Sequence, residues 1–204
     1  MPLEPPEKVT CYSEGEGTFM QYSQEWRGQL LKPLLAALAR FRVTPNHLTL
    51  LSLLAGLAFC PVFLWGFRPV ALGLLLAHVL LDGLDGPLAR FTHQASNRGS
   101  FTDTATDQMV VTFSTVTLIY AGHAGIWPGA LYLFFYGVVV IFAMVRNALA
   151  IPYSWVVRPR FLVYAWIPVE IYLWPGSLDV PLWIMTLLLG FKGLTGFIQI
   201  RRRM

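Results

Sequence analysis

Asp82, Asp85, Asp103 and Asp107 crowd into the stretch LDGLDGPLARFTHQASNRGSFTDTATD, although the whole 204-residue chain carries only 11 acidic side chains. The first two are three positions apart and the last two four, so on helices each pair projects from one face, one turn above the other. Seventeen mostly polar residues separate the pairs. That is enough for a turn that sends the second helix back antiparallel to the first, with the two carboxylate pairs facing each other.

Four carboxylates this close cannot all stay ionised without compensating charge, because like charges repel and loss of water adds to the cost. Oxygen-only ligands favour hard divalent ions, Mg²⁺ or Mn²⁺, and paired carboxylates suit a site of two ions that clamps a diphosphate. Phosphoryl transfer is the implied chemistry. Gly86 and Gly99 leave room for a nucleotide or a closely approaching backbone, and Arg90 offers a planar fork to phosphate oxygens. Pro87 frees the carbonyl of Gly83, so a bend near the carboxylates is expected.

Written out, the pattern Asp82-x2-Asp85-Gly86-x2-Ala89-Arg90-x8-Gly99-x3-Asp103-x3-Asp107 resembles the signature of the CDP-alcohol phosphatidyltransferases, with all eight positions present. The resemblance implies a CDP-linked donor whose diphosphate binds two Mg²⁺ or Mn²⁺ ions. An alcohol hydroxyl attacks the phosphate next to the transferred group and expels CMP. Carried over, Asp82, Asp85 and Asp103 would be the main metal ligands, and Asp107 the general base with a share in the second metal. Asp82, Gly86, Ala89, Arg90 and Gly99 would line the CDP pocket. A homodimer is implied in the same way. Thr44-Pro45-Asn46-His47-Leu48-Thr49 is similar to the Pro-Asn-x-x-Thr opening of the first span in many members. There Asn46 either caps that span or reaches the nucleotide.

The elements that must position these residues are membrane helices. Hydrophobic residues make up 55% of the chain and charged ones 13%, and the mean hydropathy is +0.56, far from the balance of a soluble domain. The expected architecture is an all-α polytopic membrane protein of six transmembrane helices preceded by an N-terminal amphipathic interfacial helix. Its divisions are a flexible segment over 1–20, the interfacial helix over 21–43 and the catalytic six-helix domain over 44–204. No signal peptide is evident at the N-terminus. Trp26, Leu30, Leu31, Leu34, Leu35, Leu38 and Phe41 recur at helical spacing among basic residues, which is the mark of a helix lying in the interface. Apolar spans are expected near 46–67, 69–91, 101–122, 128–150, 160–175 and 180–200, each near the roughly 20 residues a crossing needs. Lys32, Arg40, Arg42, Arg90, Arg98, Arg158, Arg160 and Arg201 to Arg203 fall on one side and Arg68 on the other. Both termini and the carboxylates therefore face the cytosol. Asp82 lies eight residues before Arg90, roughly 12 Å inside the helix end.

Arg146, Arg158, Arg160 and Lys192 are candidates for an acceptor pocket, in which case the alcohol would carry a phosphate. The competing explanation for Arg158 and Arg160 is snorkelling to lipid phosphates. His78 shares a face with Asp82 and is expected to be hydrogen-bonded inside the bundle. Glu170 interrupts the fifth span and needs a partner. Cys11 and Cys60 are too few for a disulfide framework. Arg201 to Arg203 anchor the last span at an anionic leaflet, and no nucleic acid partner is expected.

The leading reading is transfer of a phosphatidyl or phospho-alcohol group from CDP-diacylglycerol to an alcohol. The substrate alternative is a CDP-choline or CDP-ethanolamine donor with diacylglycerol as acceptor. An intramembrane prenyltransferase and a divalent-cation transporter are the readings from other classes. The register of Gly86, Ala89, Arg90 and Gly99 argues against the first, and the apolar second span beyond His78 against the second.

Overall fold

A computed structural model describes residues 31–149, 151 and 158–204, and every regular element among them is helical. The expected flexible segment over 1–20 and the first ten residues of the expected interfacial helix lie outside the described residues. Helix α1 covers 31–40. It is followed by α2 (Pro45–Leu64), α3 (Arg68–Phe91), α4 (Asn97–Tyr120), α5 (Ile126–Ala148), α6 (Pro159–Tyr172) and α7 (Asp179–Arg203).

Local chemistry sets the helix ends. Thr44, rather than Asn46, caps α2: its hydroxyl accepts from His47 N while the His47 ring accepts from Thr44 N, and Pro45 opens the first turn. Ser96 caps α4 by accepting from Gly99 N at 3.1 Å. The α2–α3 turn passes through Gly66 at φ +87°, where a side chain would be strained. Pro87 does not break α3, which runs on to Phe91. Its missing N–H leaves the Gly83 carbonyl without the usual donor, and both residues line a cavity.

Helices α2, α3, α5 and α7 are long and apolar enough to cross a bilayer, and the chain is an integral membrane protein. The other two expected crossings differ for separate reasons. α4 has the length, at 24 residues, but carries Asp103, Asp107 and a series of threonines. Thr102, Thr104, Thr112 and Thr117 each return their hydroxyl to the carbonyl four residues back, so these groups are satisfied without water. α6 has 14 residues, about 21 Å of helix against a hydrocarbon thickness of about 30 Å.

α2 packs along both α3 and α4, which touch each other little, while α5 packs on α7. Phe59, Val110, Tyr132, Ile167, Leu182 and Leu189 lie at the centre. α1 lays Leu35 against Leu48 and Leu88, bracing the ends of α2 and α3, and leaves Lys32 and Arg40 exposed.

Away from the carboxylates the connections are tied by side chain to backbone bonds. Glu170 accepts from Gly176 N at 2.8 Å and Leu178 N at 2.9 Å, and lies 3.5 Å from His123. Asp179 accepts from Gly125 N at 2.7 Å. Exposed Trp65, Phe67, Trp127, Tyr172 and Trp174 stand at this same end, as an interfacial belt requires.

One close helix crossing is testable. A Cβ at Gly56 would run into both Cγ atoms of Val110, which is fully buried and stiff at χ1. Gly56→Ala should therefore cost about 1–3 kcal/mol by overpacking, read as a lower thermal midpoint in detergent. Adding Val110→Ala should recover part of the loss. A single variant as stable as the parent would mean that α2 and α4 do not approach this closely.

Candidate active site

The carboxylates converge because the last turns of α3 and the first turns of α4 meet at one place. Asp82 and Asp85 rise one turn apart on α3 and are 8% and 7% exposed, and Asp103 comes from the first turns of α4. One carboxylate oxygen from each of the three lies within 4.8 Å of the others. A short turn over 92–96 makes this possible by returning α4 beside the end of α3.

Asp107 is brought to the same region but is held differently. Arg160, in the first turn of α6 and 4% exposed, donates through Nη2 to Asp82 Oδ2 at 2.6 Å, and its Nη1 pairs with Asp107 Oδ1. One guanidinium thus bridges two helices, a use of the planar fork that a lysine could not match. The fourth aspartate lies outside the cluster of three and is engaged by Arg160.

Behind the acids, α2 supplies hydroxyls. Thr49 Oγ1 donates to Asp85 Oδ2 at 2.7 Å. One turn further, Ser52 Oγ and His78 Nδ1 form a buried pair at 2.8 Å. His78 is therefore hydrogen-bonded inside the bundle, as expected. The motif around Pro45 to Thr49 divides its roles: Thr44 caps, Thr49 orients Asp85, and Asn46 lines a cavity.

That cavity, about 410 Å³, is bordered by Asp82, Asp85 and Asp103 and by all four small or basic signature residues, Gly86, Ala89, Arg90 and Gly99. A Cβ at Gly86 would come no closer than 3.6 Å to Arg90, and one at Gly99 no closer than 3.4 Å to Ser96 Oγ. Neither glycine is demanded by the protein's own packing; what each keeps open is the cavity. A second space of about 220 Å³ is lined by Asp103, Asp107, Tyr136, Arg158, Arg160 and Leu189, among others. Asp103 and Arg158 border both spaces.

The residues fit a hard divalent ion. The donors are all carboxylate oxygens, and Asp103 Oδ1 is buried with no hydrogen-bond partner, an arrangement that a cation would satisfy.

Of the expected basic residues, Arg158 and Arg160 line the smaller space, whereas Arg146 and Lys192 line neither. Arg146 is buried between α5 and α7, bonding to Gln199 Oε1 at 3.1 Å and to the Phe142 carbonyl at 3.3 Å. Tyr136 was not legible as a site residue, since it stands in an apolar run. Nor did spacing signal the Arg160–Asp82 contact, which joins positions far apart in sequence.

Comparison with known proteins agrees with this geometry. The family model for CDP-alcohol phosphatidyltransferase matches residues 42–193. Archaetidylinositol phosphate synthase of Aeropyrum pernix is 32% identical over 138 residues, covering 67% of this chain and 64% of that one. A CDP-diacylglycerol–serine O-phosphatidyltransferase of Mycobacterium tuberculosis is 31% identical over 110 residues, covering 53% of this chain and 38% of the relative. The match thus spans less than two thirds of either relative's length. Among solved structures, phosphatidylinositol phosphate synthase of M. tuberculosis with CDP-DAG bound superimposes with a TM-score of 0.72 at 19% identity, over 84% of this chain and 94% of that one. The same protein in complex with manganese and citrate gives 0.70 at 20% identity, over 82% and 87%. With three quarters of its length matched by the family model, three signature carboxylates gathered at one cavity and the fold shared, the chain belongs to the CDP-alcohol phosphatidyltransferase family.

Proposed function

We propose that this protein transfers a phosphatidyl group from CDP-diacylglycerol to a hydroxyl of a small polar alcohol, releasing CMP. The observation that carries this reading is the meeting of Asp82, Asp85 and Asp103 at a cavity whose other walls are Gly86, Ala89, Arg90 and Gly99. That is a place for a diphosphate with a nucleotide attached. The relatives named for CDP-diacylglycerol and for inositol phosphate products support the same donor class.

The chain's own groups would divide the work as follows. Gly86, Ala89 and Gly99 admit the cytidine and ribose, and Arg90 meets phosphate oxygens. Asp82, Asp85 and Asp103 would hold Mg²⁺ or Mn²⁺, with Asp107 sharing the second ion, and Thr49 fixes the rotamer of Asp85. When bound, the two ions supply positive charge to the diphosphate and to the departing CMP. Asp107, bordering the smaller space, takes the proton of the attacking hydroxyl. The alcohol oxygen forms a bond to the phosphorus bearing the diacylglycerol, and the bond from that phosphorus to the bridging oxygen of CMP breaks. Arg158 and Arg160 favour an acceptor that itself carries a phosphate.

In this reading residues 44–204 form one catalytic domain that crosses the bilayer six times, with α4 and α6 completing the bundle around the polar site. Residues 21–43 lie at the interface as an amphipathic helix, after a flexible segment over 1–20. Basic residues at the carboxylate end support a cytosolic position for both termini and the site. A water-soluble nucleotide can then leave while the lipid tails stay in the membrane. A homodimer completes the proposal.

Purified protein with Mn²⁺, CDP-diacylglycerol and a panel of alcohols, phosphorylated and not, should release CMP and form a new lipid with a phosphorylated member. Release of CMP with none of them would contradict the reading. Asp107→Asn should lower kcat by about 10²–10⁴-fold while donor affinity, measured by calorimetry, changes little. Equal loss of donor binding would argue that Asp107 serves only as a metal ligand, without the base role. Thr49→Val should raise the Mn²⁺ concentration for half-maximal activity by about 10–100-fold, with Thr49→Ser restoring most of it. An unchanged metal requirement in the valine variant would remove the positioning role.

A further inference from the structure

We propose that Arg160 is a tethered cation that competes with the second divalent ion: its guanidinium, paired with Asp107, must release that carboxylate before the ion binds. The inference rests on the metal-site reading above and adds an order of events to it.

Three observations carry it. First, the guanidinium already contacts two of the four signature carboxylates, Asp82 at 2.6 Å and Asp107, from a position 4% exposed. Second, the cluster whose oxygens can share an ion consists of Asp82, Asp85 and Asp103, with Asp107 outside it. One ion site is therefore assembled in the presence of Arg160, and a site using Asp107 is not. Third, Arg160 reaches in from α6 and lines the smaller space, not the larger one where Asp85 and Asp103 meet Gly86 and Gly99. A side chain released toward that smaller space would not cross the donor cavity.

The physical conflict is one of charge. A guanidinium cannot be deprotonated to make way, and a divalent ion on Asp107 would sit against it in a site with little water to screen the repulsion. The two cations exclude each other at Asp107. Asp82 remains in the cluster of three although its Oδ2 accepts from Arg160, whereas Asp107 has no place in that cluster, so the stronger opposition falls on the second ion. Pro159 at the start of α6 and the Phe161 ring, 4.9 Å from the guanidinium carbon, keep the arginine near its anchor. Once released, it faces the smaller space beside Arg158 and Tyr136. The charge that balanced the two carboxylates becomes available to an anionic acceptor only after the ions are in place.

The test is a Mn²⁺ titration of the full chain in lipid nanodiscs, following free Mn²⁺ by electron paramagnetic resonance, without substrate. The wild type should show one tight and one weak site. Arg160→Gln should tighten the weak site by about tenfold and alter the tight one by less than about threefold. An unchanged weak site, or weakening of both, would overturn the proposal. Should that variant fail to fold, Arg160→Lys keeps the charge but loses the fork, and a smaller tightening of the weak site is expected; none would overturn it. Asp85→Asn runs alongside as the control for the metal reading itself. If Mn²⁺ still binds tightly there, the metal site is misassigned. Loss of the tight site there with an unchanged Arg160→Gln titration sinks the Arg160 claim alone.

Discussion

Negative charge concentrated at the end of an apolar helix bundle is the constraint from which the rest of the structure follows. Asp82, Asp85 and Asp103 bring oxygens within 4.8 Å of one another at sites where two of the three residues are buried. Such a group is unfavourable unless cations or donors meet it. The response is visible on two sides: Arg160 approaches Asp82 and Asp107 from α6, and Thr49 donates to Asp85 from α2. Asp103 keeps one buried oxygen without a partner. What is left uncompensated is the place where a divalent ion is most strongly favoured.

The scaffold serves this end by keeping α3 and α4 apart. If those two helices packed directly, their acids would meet with no room for a diphosphate. Instead α2 lies along both and carries the spacing, with Gly56 allowing its close approach to Val110 on α4 and Thr49 and Ser52 bonding to α3. The opposite end is closed by Glu170 and Asp179, which accept from backbone N–H groups of the connecting turns. With the far end tied in this way, the cavity lies at the carboxylate end.

The signature aspartates were readable because their spacing is a helical repeat, and the helix bounds followed from long apolar runs, within a few residues in each case. The family match decides among the function classes weighed from sequence, in favour of the CDP-alcohol enzymes over prenyltransferases and cation transporters. Contacts between distant positions were not readable. Nothing in the spacing says that Arg160 reaches Asp82, that Glu170 holds the α6–α7 turn, or that Arg146 joins α5 to α7 through Gln199. Of the two roles open to Asn46, capping falls to Thr44, since a threonine ahead of a proline with histidine at the third helical position makes a capping box, and Asn46 lines the cavity instead. Hydropathy also separates α4 and α6 from the other four helices. α4, with Asp103, Asp107 and its threonines, is too polar to qualify as a span although α3 qualifies with two acids, and α6 is too short.

The account turns on a divalent ion held by acids from two helices. Crystals of the protein grown with Mn²⁺ and CDP-diacylglycerol, measured at the manganese absorption edge, test it most directly. An anomalous peak is predicted between Asp82, Asp85 and Asp103, with the donor's diphosphate oxygens completing the coordination and the cytidine lying against Gly86 and Gly99. Donor density in that cavity with no metal peak among the three aspartates, or a peak elsewhere on the chain, would contradict it.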